Sequence, residues 1–332
     1  MNSREIVLRT LEFNYPERVA RSFGDSDFVW AGCTVKTYAR GWEKVGDNRW
    51  EMIDEWGNLW ARIDPTSKGE VVKGVLEDME DISRYEFPDF SNPQDYDSVR
   101  EAREKFPDKW LIGGMPGFAF IIARKMYRLE NYLVKLLLEP ELIHYLHDRI
   151  DLLLGDMIRN YAGAGADCVM IYEDWGTQNQ TLISPKLWYQ EFFPRFKKLC
   201  SIAHECGIKV FMHSCGAIQK IIPGLIEAGV DVLQFDQPAL HGIDRLASYQ
   251  ETAKITFWCP VDIQKTLQTR DEEKIRAEAR EMLDKLWRGR GGFIAGYYGD
   301  NASIGLDPKW QEIACDEFLK IGRKEYVLQQ EK

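Results

Sequence analysis

The sequence lacks the features that mark several large classes of protein. No apolar run approaches the roughly 20 residues that a membrane-spanning helix needs. The residues after Met1 form an amphipathic segment instead of the charged, then apolar pattern of a secretory signal. The formal net charge of −10 at pH 7 disfavours nucleic acid and anionic membranes as main partners. We therefore expect a cytoplasmic protein that binds neither nucleic acid nor a membrane.

Three common catalytic signatures are also absent. The chain has no Gly-x-Gly-x-x-Gly fingerprint, no phosphate-binding P-loop and no serine nucleophile elbow. Cysteine is present but odd in number, with seven residues at irregular spacings. A disulfide framework is therefore not predicted, and the thiols should be free or bound to metal. Four of the seven are expected to pack in the interior: Cys168, Cys200, Cys206 and Cys315.

What the chain does contain, from Trp110 onward, is a repeated pattern in which a helix ends in glycine and a short buried strand follows. Strands that alternate with helices predict right-handed βαβ units and a parallel sheet. The number of successive units favours an α/β fold of the closed (β/α)₈ TIM-barrel type over an open sheet. The predicted strands are 110–114, 168–172, 210–212, 232–235, 255–258 and 292–295.

The N-terminal part has a different pattern. Ser3 and the apolar stripe that follows it predict a helix over residues 3–12. Turn signals around Asp47 and Gly57 predict a small antiparallel meander, which should lie outside the barrel. Its predicted strands are 42–45, 49–54 and 59–63.

The rest of the domain organisation follows from composition. Residues 65–108 are polar and contain four prolines, which predicts a linker with short helices. Residues 120–162 have leucines at helical spacing and are predicted to be a long amphipathic helical region. We therefore expect residues 1–108 to pack on the barrel and residues 109–332 to supply the remainder of it, within one overall domain.

The most informative stretch is His213-Ser-Cys215, which follows an apolar run and precedes Gly216. An imidazole and a thiol two residues apart, on the turn after a strand, can face the same point. Neutral imidazole and thiolate are good zinc ligands. A core histidine beside a buried free cysteine would give the same pattern.

Polar and reactive side chains follow five predicted strands. In a barrel, the carboxyl ends of the strands form the active face. The chain therefore predicts that carboxylates, an imidazole, thiols and phenols converge on one mouth, although Asp174 and Asp262 are equally explained as helix caps. The residues at these ends are Glu173, Asp174, His213, Cys215, Asp236, Cys259, Asp262, Tyr297, Tyr298 and Asp300. By contrast, His144, His147 and Arg195 are expected on solvated helix faces.

Taken together, several motifs resemble those of a known superfamily, that of uroporphyrinogen decarboxylase and its relatives, the cobalamin-linked methyltransferases. The resemblance spans most of the chain. The segments that carry it are Ser3-Arg-Glu5, Pro16-Glu-Arg-Val19, Glu173-Asp-Trp-Gly-Thr-Gln178, Ser184-Pro-Lys-Leu-Trp188, His213-Ser-Cys-Gly216, Ile222-Pro-Gly-Leu-Ile-Glu-Ala-Gly-Val-Asp231 and Val261-Asp-Ile-Gln-Lys-Thr-Leu267.

The resemblance implies a TIM barrel and two candidate chemistries. True decarboxylases carry an arginine-rich N-terminal segment for the carboxylates of a tetrapyrrole, and no such segment stands before Asp47. The methyltransferase branch uses zinc held by His-x-Cys and a last-strand cysteine. His213 and Cys215 match the first two ligands, whereas Gly296 and two tyrosines stand in the region of the third. The closer relatives are methyltransferases that demethylate methoxylated compounds, which implies carboxylate and histidine ligands.

The resemblance therefore implies a corrinoid-dependent methyltransferase. It would move a methyl group from a small donor, such as an aryl methyl ether, to the cobalt of a separate corrinoid protein. The expected zinc ligands are His213, Glu173 and Cys215, with Asp236 and Cys259 in reserve. The alternatives are a cofactor-free tetrapyrrole decarboxylase and a non-catalytic ligand-binding barrel.

Two further groups of site residues complete the prediction. A departing alkoxide or phenolate needs a Lewis acid or a proton donor, and aromatic side chains can stack on an aryl ring. The expected catalytic residues are Glu173, Asp236, Tyr297, Tyr298 and Asp300. The expected substrate-binding residues are Met115, Phe118, Tyr172, Asp174, Trp175, Trp258 and Asn301.

Overall fold

The chain folds into a TIM barrel, as predicted. The computed structural model describes residues 1–323, apart from the side chains of residues 79 and 80. Eight parallel strands form the barrel sheet and helices surround it. In order around the sheet, the strands are β1 (Ala20–Arg21), β12 (Phe293–Ala295), β11 (Thr256–Cys259), β10 (Val232–Gln234), β9 (Lys209–His213), β8 (Cys168–Tyr172), β7 (Trp110–Gly114) and β2 (Phe28–Ala31).

The seam of the barrel lies between β1 and β2, which share no ladder. The loop that joins them returns to β1, and the Asp27 backbone N–H donates to the Arg21 carbonyl over 2.9 Å. The carboxylate of Asp27 is fully buried; it accepts from the Arg21 backbone N–H and pairs with the Arg18 guanidinium. The Arg18–Asp27 ion pair thus stabilises the β1–β2 seam. Among the described barrel strands, this seam is the only place where neighbouring strands share no ladder.

The interior of the barrel is filled by side chains from alternate strand positions. Alternation places one set of residues inside and the other against the helices. Helix α1 (Ser3–Glu12) covers the N-terminal end of the sheet, because its backbone hydrogen-bonds to residues just before β7 and β12. The residues of this inner cluster are Ile6, Val7, Leu11, Ala20, Phe28, Trp110, Ile112, Cys168, Met170, Phe211, Val232, Trp258 and Ile294.

The helix over residues 3–12 is confirmed, although its cap is Asn2, whose side chain accepts from the Glu5 backbone N–H. The meander is also confirmed as a separate antiparallel sheet, and it has a fourth strand that the sequence analysis did not identify. Its strands are β3 (Arg40–Gly46), β4 (Arg49–Ile53), β5 (Leu59–Arg62) and β6 (Glu70–Lys73).

The position of the meander was not anticipated. It is inserted after the second barrel strand, because β1 and β2 precede it in the chain. Its base packs near α4 (Ala119–Met126), where the Leu76 backbone N–H donates to the Met126 carbonyl. From the loop between β5 and β6, Lys68 reaches Tyr298 and Asp300, which follow the last barrel strand. The meander therefore extends along the mouth of the barrel.

The predicted long helical region over residues 120–162 is divided into three helices. A left-handed residue, Arg128, separates the first two, and Pro140 begins the third. No helix within residues 1–323 is long and apolar enough to cross a membrane. The helices after α1 are α2 (Met79–Arg84), α3 (Asp97–Lys105), α4 (Ala119–Met126), α5 (Leu129–Leu138), α6 (Pro140–Gly163), α7 (Pro185–Glu191), α8 (Phe193–Glu205), α9 (Ile222–Ala228), α10 (Ile243–Tyr249), α11 (Glu272–Met282) and α12 (Lys309–Ile321).

Candidate active site

The strand register places four side chains next to one another at the carboxyl end of the barrel. Tyr172 on β8 pairs with His213 on β9, His213 pairs with Gln234 on β10, and Gln234 pairs with Trp258 on β11. All four follow inward-facing positions two residues earlier, so they point into the barrel. Together they form the floor of the mouth, above the apolar interior.

Three potential metal ligands meet beside this floor: Asp174, His213 and Cys215. Their ligand atoms all lie within 4.8 Å of one another. The Nε2 atom of His213 is 3.3 Å from the Cys215 Sγ atom and 3.5 Å from Asp174 Oδ1. The Asp174 side chain is 39% exposed and that of His213 is 13% exposed. The group is therefore open to the mouth on one side.

The two loops that carry these ligands are joined by backbone contacts. The Cys215 backbone N–H donates to Asp174 Oδ1 over 2.9 Å, and Gly176 N–H donates to the Cys215 carbonyl. Gly216 has a φ of +80°, and a Cβ there would lie 2.3 Å from the Gly176 backbone. Only glycine fits at this crossing. The close approach of the loops is what brings Asp174 to His213.

The hydrogen bonds of His213 distinguish its two ring nitrogens. The Nδ1 atom bonds to the Gln234 side-chain oxygen, while Nε2 faces Asp174 and Cys215. Burial would lower the pKa of His213, but the hydrogen bonds and charges of Asp174 and Cys215 raise it well above its usual value. Burial would likewise raise the pKa of Asp174, and the His213 contacts lower it instead. Both shifts favour a protonated imidazole beside an ionised carboxylate. A metal cation that binds here would replace that proton.

The donor set fits a zinc ion. Imidazole nitrogen, thiolate sulfur and carboxylate oxygen are all common zinc ligands, and catalytic sites combine three protein ligands with one open position. Because Nδ1 is already bonded, Nε2 is the nitrogen available to a metal. The solvent-facing side of the cluster provides the open position.

Glu173 does not belong to this cluster. Strand alternation turns it away from the mouth, and it is fully buried, where its Oε2 accepts from the Ile121 backbone N–H of α4. Burial raises the pKa of Glu173 to about 8, and its Oε1 has no hydrogen-bond partner. Glu173 was expected to bind metal and Asp174 to bind substrate. In the structure, Asp174 and not Glu173 lies beside His213 and Cys215.

The aromatic residues expected to stack on substrate are located differently as well. Phe118 and Trp175 are fully buried and stack on Phe196 and Phe120, so neither has a free face. Met115 is also buried. These three residues belong to the core between the barrel and its helices.

A different aromatic pair lines the mouth. Trp30 is 47% exposed and Tyr172 is 40% exposed, and their rings stack with centroids 6.4 Å apart. Gly114, on the strand between them, has no side chain, so the Trp30 ring can lie over it. The Tyr172 ring is in turn 5.8 Å from that of His213. Trp30 was not identified from sequence, because β2 itself was not predicted.

Asp236 and Trp258 lie at or beside the floor. Asp236 Oδ1 accepts from the Gln234 side-chain amide over 2.8 Å. Trp258 is nearly buried; it stacks on Phe28 and donates to Ser22. Trp258 therefore lies in the floor of the mouth and exposes little of its ring to a ligand.

The residues after the last strand form a second group at the rim. The Tyr298 hydroxyl is 3.4 Å from the Lys68 ammonium, and Asp300 is exposed and caps a short helix. Asn301 is buried and donates to the Tyr297 hydroxyl over 3.1 Å. The contacts described above for His213, Asp174 and Cys215 include none with this group.

Cys259, a reserve metal ligand, and Asp262, a possible helix cap, both have structural surroundings. Cys259 is fully buried, and burial raises the pKa of its thiol. Asp262 is buried and accepts backbone N–H groups from Ala239, Gln264 and Lys265. Asp262 therefore has the capping role that sequence analysis offered as the alternative to chemistry.

A barrel with a polar cluster at the carboxyl ends of its strands is an architecture typical of enzymes. A model of the uroporphyrinogen decarboxylase family matches residues 62–297, and the chain belongs to this family. No curated protein sequence matches the chain.

Solved structures share the fold. A methyltransferase from Methanosarcina mazei aligns over 96% of this chain and 86% of that chain, with 18% sequence identity and a TM-score of 0.60. A B12-independent methionine synthase from Shewanella sp. W3-18-1, in complex with selenomethionine, covers 70% of this chain and 66% of that chain, with 11% identity and a TM-score of 0.46. At 18% identity, the match to the Methanosarcina mazei methyltransferase establishes similarity of fold and not of activity.

Proposed function

We propose that the protein is a metal-assisted methyltransferase, which moves a methyl group from a small methylated donor to the cobalt of a separate corrinoid protein. The observation that supports this most is the cluster of Asp174, His213 and Cys215 in the open mouth of the barrel. Membership of the uroporphyrinogen decarboxylase family and the fold shared with a methyltransferase are consistent with it.

The cluster and the floor of the mouth have distinct tasks in this proposal. Asp174, His213 and Cys215 would hold zinc, and the floor residues would orient the donor above it. A zinc ion bound there would stabilise the negative charge that develops on the oxygen leaving the methyl group. Since the methyl acceptor arrives with the partner, the chain needs no nucleophile of its own.

The aromatic pair supports a methoxylated aromatic compound as the donor. Trp30 and Tyr172 present partly exposed, stacked rings, and the Tyr172 ring is 5.8 Å from that of His213. Offset stacking on such rings would place a flat donor against the wall and direct its methoxy group toward the metal ligands. The same open mouth would admit the corrinoid of the partner from the solvent side.

Tetrapyrrole decarboxylation is the less favoured function. Such a substrate needs several free cations near the mouth to bind its carboxylates. Among the arginines before Asp47, Arg18 is paired with the buried Asp27 at the seam. Arg21 extends from an outward-facing position of β1, where its Nε contacts the Asp25 carbonyl. Neither arginine extends to the His213 cluster.

The test is anaerobic methyl transfer to reduced cobalamin, with zinc-loaded protein and a panel of methoxyaromatic and aliphatic methyl donors. We expect the absorption spectrum to shift from reduced to methylated cobalamin with at least one donor, and only when metal is present. Decarboxylation of a tetrapyrrole, without methyl transfer from any donor, would contradict the proposal and support the alternative.

A further inference from the structure

We propose that Gln234 is a positioning residue, which holds His213 in the tautomer that presents its Nε2 lone pair to a metal ion. The inference rests on the metal site of the proposed function and goes beyond it, because Gln234 would not touch the metal. It explains why an amide, and not an apolar side chain, occupies the barrel floor between His213 and Trp258.

Asp236 lies beside Gln234 and presents carboxylate oxygens, which are hydrogen-bond acceptors. Its Oδ1 lies 2.8 Å from the nitrogen of the Gln234 amide. The amide must therefore turn its NH₂ group toward Asp236, which leaves its oxygen directed at His213. The carboxylate thus determines which way round the amide lies.

The orientation of the amide determines which nitrogen of the imidazole carries a proton. The Gln234 oxygen is hydrogen-bonded to Nδ1 of His213, and an amide oxygen accepts but cannot donate. The Nδ1 atom must therefore carry a proton. In the neutral ring, Nε2 then has the free lone pair, and it points at Cys215 Sγ and Asp174 Oδ1. A flipped amide would reverse this arrangement and turn an N–H bond toward the metal position.

Metal-binding histidines commonly have their second nitrogen bonded to a carboxylate, a carbonyl or water, and loss of such a partner weakens metal binding by about 10- to 100-fold. In this chain an amide stands between the imidazole and the carboxylate. The relay from Asp236 through Gln234 to His213 provides both the ring orientation and the direction of its hydrogen bonds. Asp236, expected as a catalytic residue, is thereby given an indirect role.

The experiment compares zinc affinity in four proteins by competition with a chromophoric chelator. Gln234→Leu removes the acceptor and should weaken zinc binding by about 10- to 100-fold. Gln234→Glu restores an acceptor for Nδ1–H and should recover most of the affinity. Gln94→Leu makes the same change at an exposed position and should bind zinc like the wild type.

A second readout reports the tautomer itself. In the zinc-loaded wild type, nitrogen NMR of His213 should show a proton on Nδ1 and none on Nε2. Gln234→Leu should broaden or shift the Nδ1 signal, since the ring loses its fixed partner. A protein that simply loses packing would show general spectral changes without rescue by Gln234→Glu.

The outcomes separate this inference from the proposed function. If the wild type binds zinc and Gln234→Leu binds it equally well, Gln234 has no positioning role, although the metal site stands. If the wild type binds no zinc under any loading condition, both the metal site and the role of Gln234 are overturned.

Discussion

Two histidines of this protein each lie beside a carboxylate, but one faces the open mouth of the barrel and the other is buried between helices. His213 lies in the mouth with a carboxylate and a thiol, and only its Nδ1 is committed to a neutral partner. His147 on α6 is fully buried, with Nδ1 2.7 Å from Glu191 Oε1 and Nε2 2.9 Å from the Tyr132 hydroxyl. Both ring nitrogens of His147 are hydrogen-bonded to buried side chains, whereas Nε2 of His213 faces the open cluster of Asp174 and Cys215.

The contrast extends to the groups around each ring. Arg195 pairs with Glu191 and with Asp151, so an ion-pair network within the helix layer surrounds His147. Burial lowers the pKa of His147 to about 4, whereas that of His213 is raised by its anionic neighbours. A saturated, buried cluster stabilises the fold, while an unsaturated cluster at a strand end is suited to bind something from solution.

The largest effect is expected from His213→Ala. The substitution should abolish zinc binding, because it removes the ligand that lies between Asp174 and Cys215. The free energy of unfolding should change by no more than about 1 kcal/mol, since the apolar residues of β9 are retained. Elemental analysis and chemical denaturation measure the two quantities. Retention of one zinc per chain would show that the metal lies elsewhere.

His147→Ala should have the reverse effect. It leaves the Tyr132 hydroxyl without its partner and opens a cavity in the packed helix layer. We expect a loss of about 3 kcal/mol in the free energy of unfolding, with zinc affinity unchanged. The measurement is urea denaturation beside chelator competition. A stability equal to the wild type would remove the distinction between the two histidines.

The pH dependence of stability should follow from the same residue. Burial lowers the pKa of His147 to about 4 from an ordinary value of 6.5, while hydrogen bonding to Glu191 opposes that shift. Between these values the unfolded chain binds more protons than the folded protein, so stability should fall as pH drops from 6.5 toward 4. Burial would raise the pKa of Glu191, but its contacts with His147 and Arg195 lower it, so Glu191 adds to the loss at lower pH.

The control for this pH dependence is His147→Gln, which cannot titrate. Its stability should fall less steeply than that of the wild type over the same interval, in denaturation curves recorded across a pH series. An identical pH profile for the two proteins would show that His147 does not control acid stability.

The smallest effect is expected from His144→Ala. His144 is half exposed, and its Nε2 lies 2.7 Å from Glu191 Oε2 at the outer edge of the buried cluster. Exposed ion pairs contribute little, so the loss should stay below about 1 kcal/mol. Thermal or urea denaturation would measure it. A decrease in the free energy of unfolding as large as that of His147→Ala would contradict the minor role assigned to the His144–Glu191 pair.

The barrel was largely predictable, because most of its strands have a recognisable local sequence pattern. Short apolar runs, three of them after glycine-ended helices, identified six strands from Trp110 onward, all parallel in the structure. The first two strands were not found, since Ala20–Arg21 has two residues and Phe28–Ala31 follows no glycine-ended helix. Both are specified by pairing with distant strands at the seam, which no local pattern reveals.

The site could be predicted only in part. His213 and Cys215 stand two residues apart, and the structure brings their ligand atoms together. The choice between Glu173 and Asp174 could have been made from strand alternation, since Asp174 shares the inward face of Tyr172. Gln234 carried no such signal, because an amide at a strand end becomes meaningful only when its neighbours are known.

His147 illustrates what sequence could not supply. Its position on α6 suggested a solvated face, and this prediction was wrong. Arg195 was also expected in solvent, yet its side chain is 11% exposed and pairs with three carboxylates. Burial of both depends on how α5 and α8 pack against α6. Packing between helices distant in sequence leaves no mark in the periodicity of one helix.

The most direct test of the account is X-ray absorption spectroscopy of the zinc-loaded protein. We predict one zinc per chain, with a single sulfur neighbour, one imidazole and oxygen ligands, and loss of the sulfur neighbour in Cys215→Ser. Zinc coordinated by nitrogen and oxygen alone in the wild type, or a spectrum unchanged by Cys215→Ser, would contradict the assignment of the mouth cluster as the metal centre.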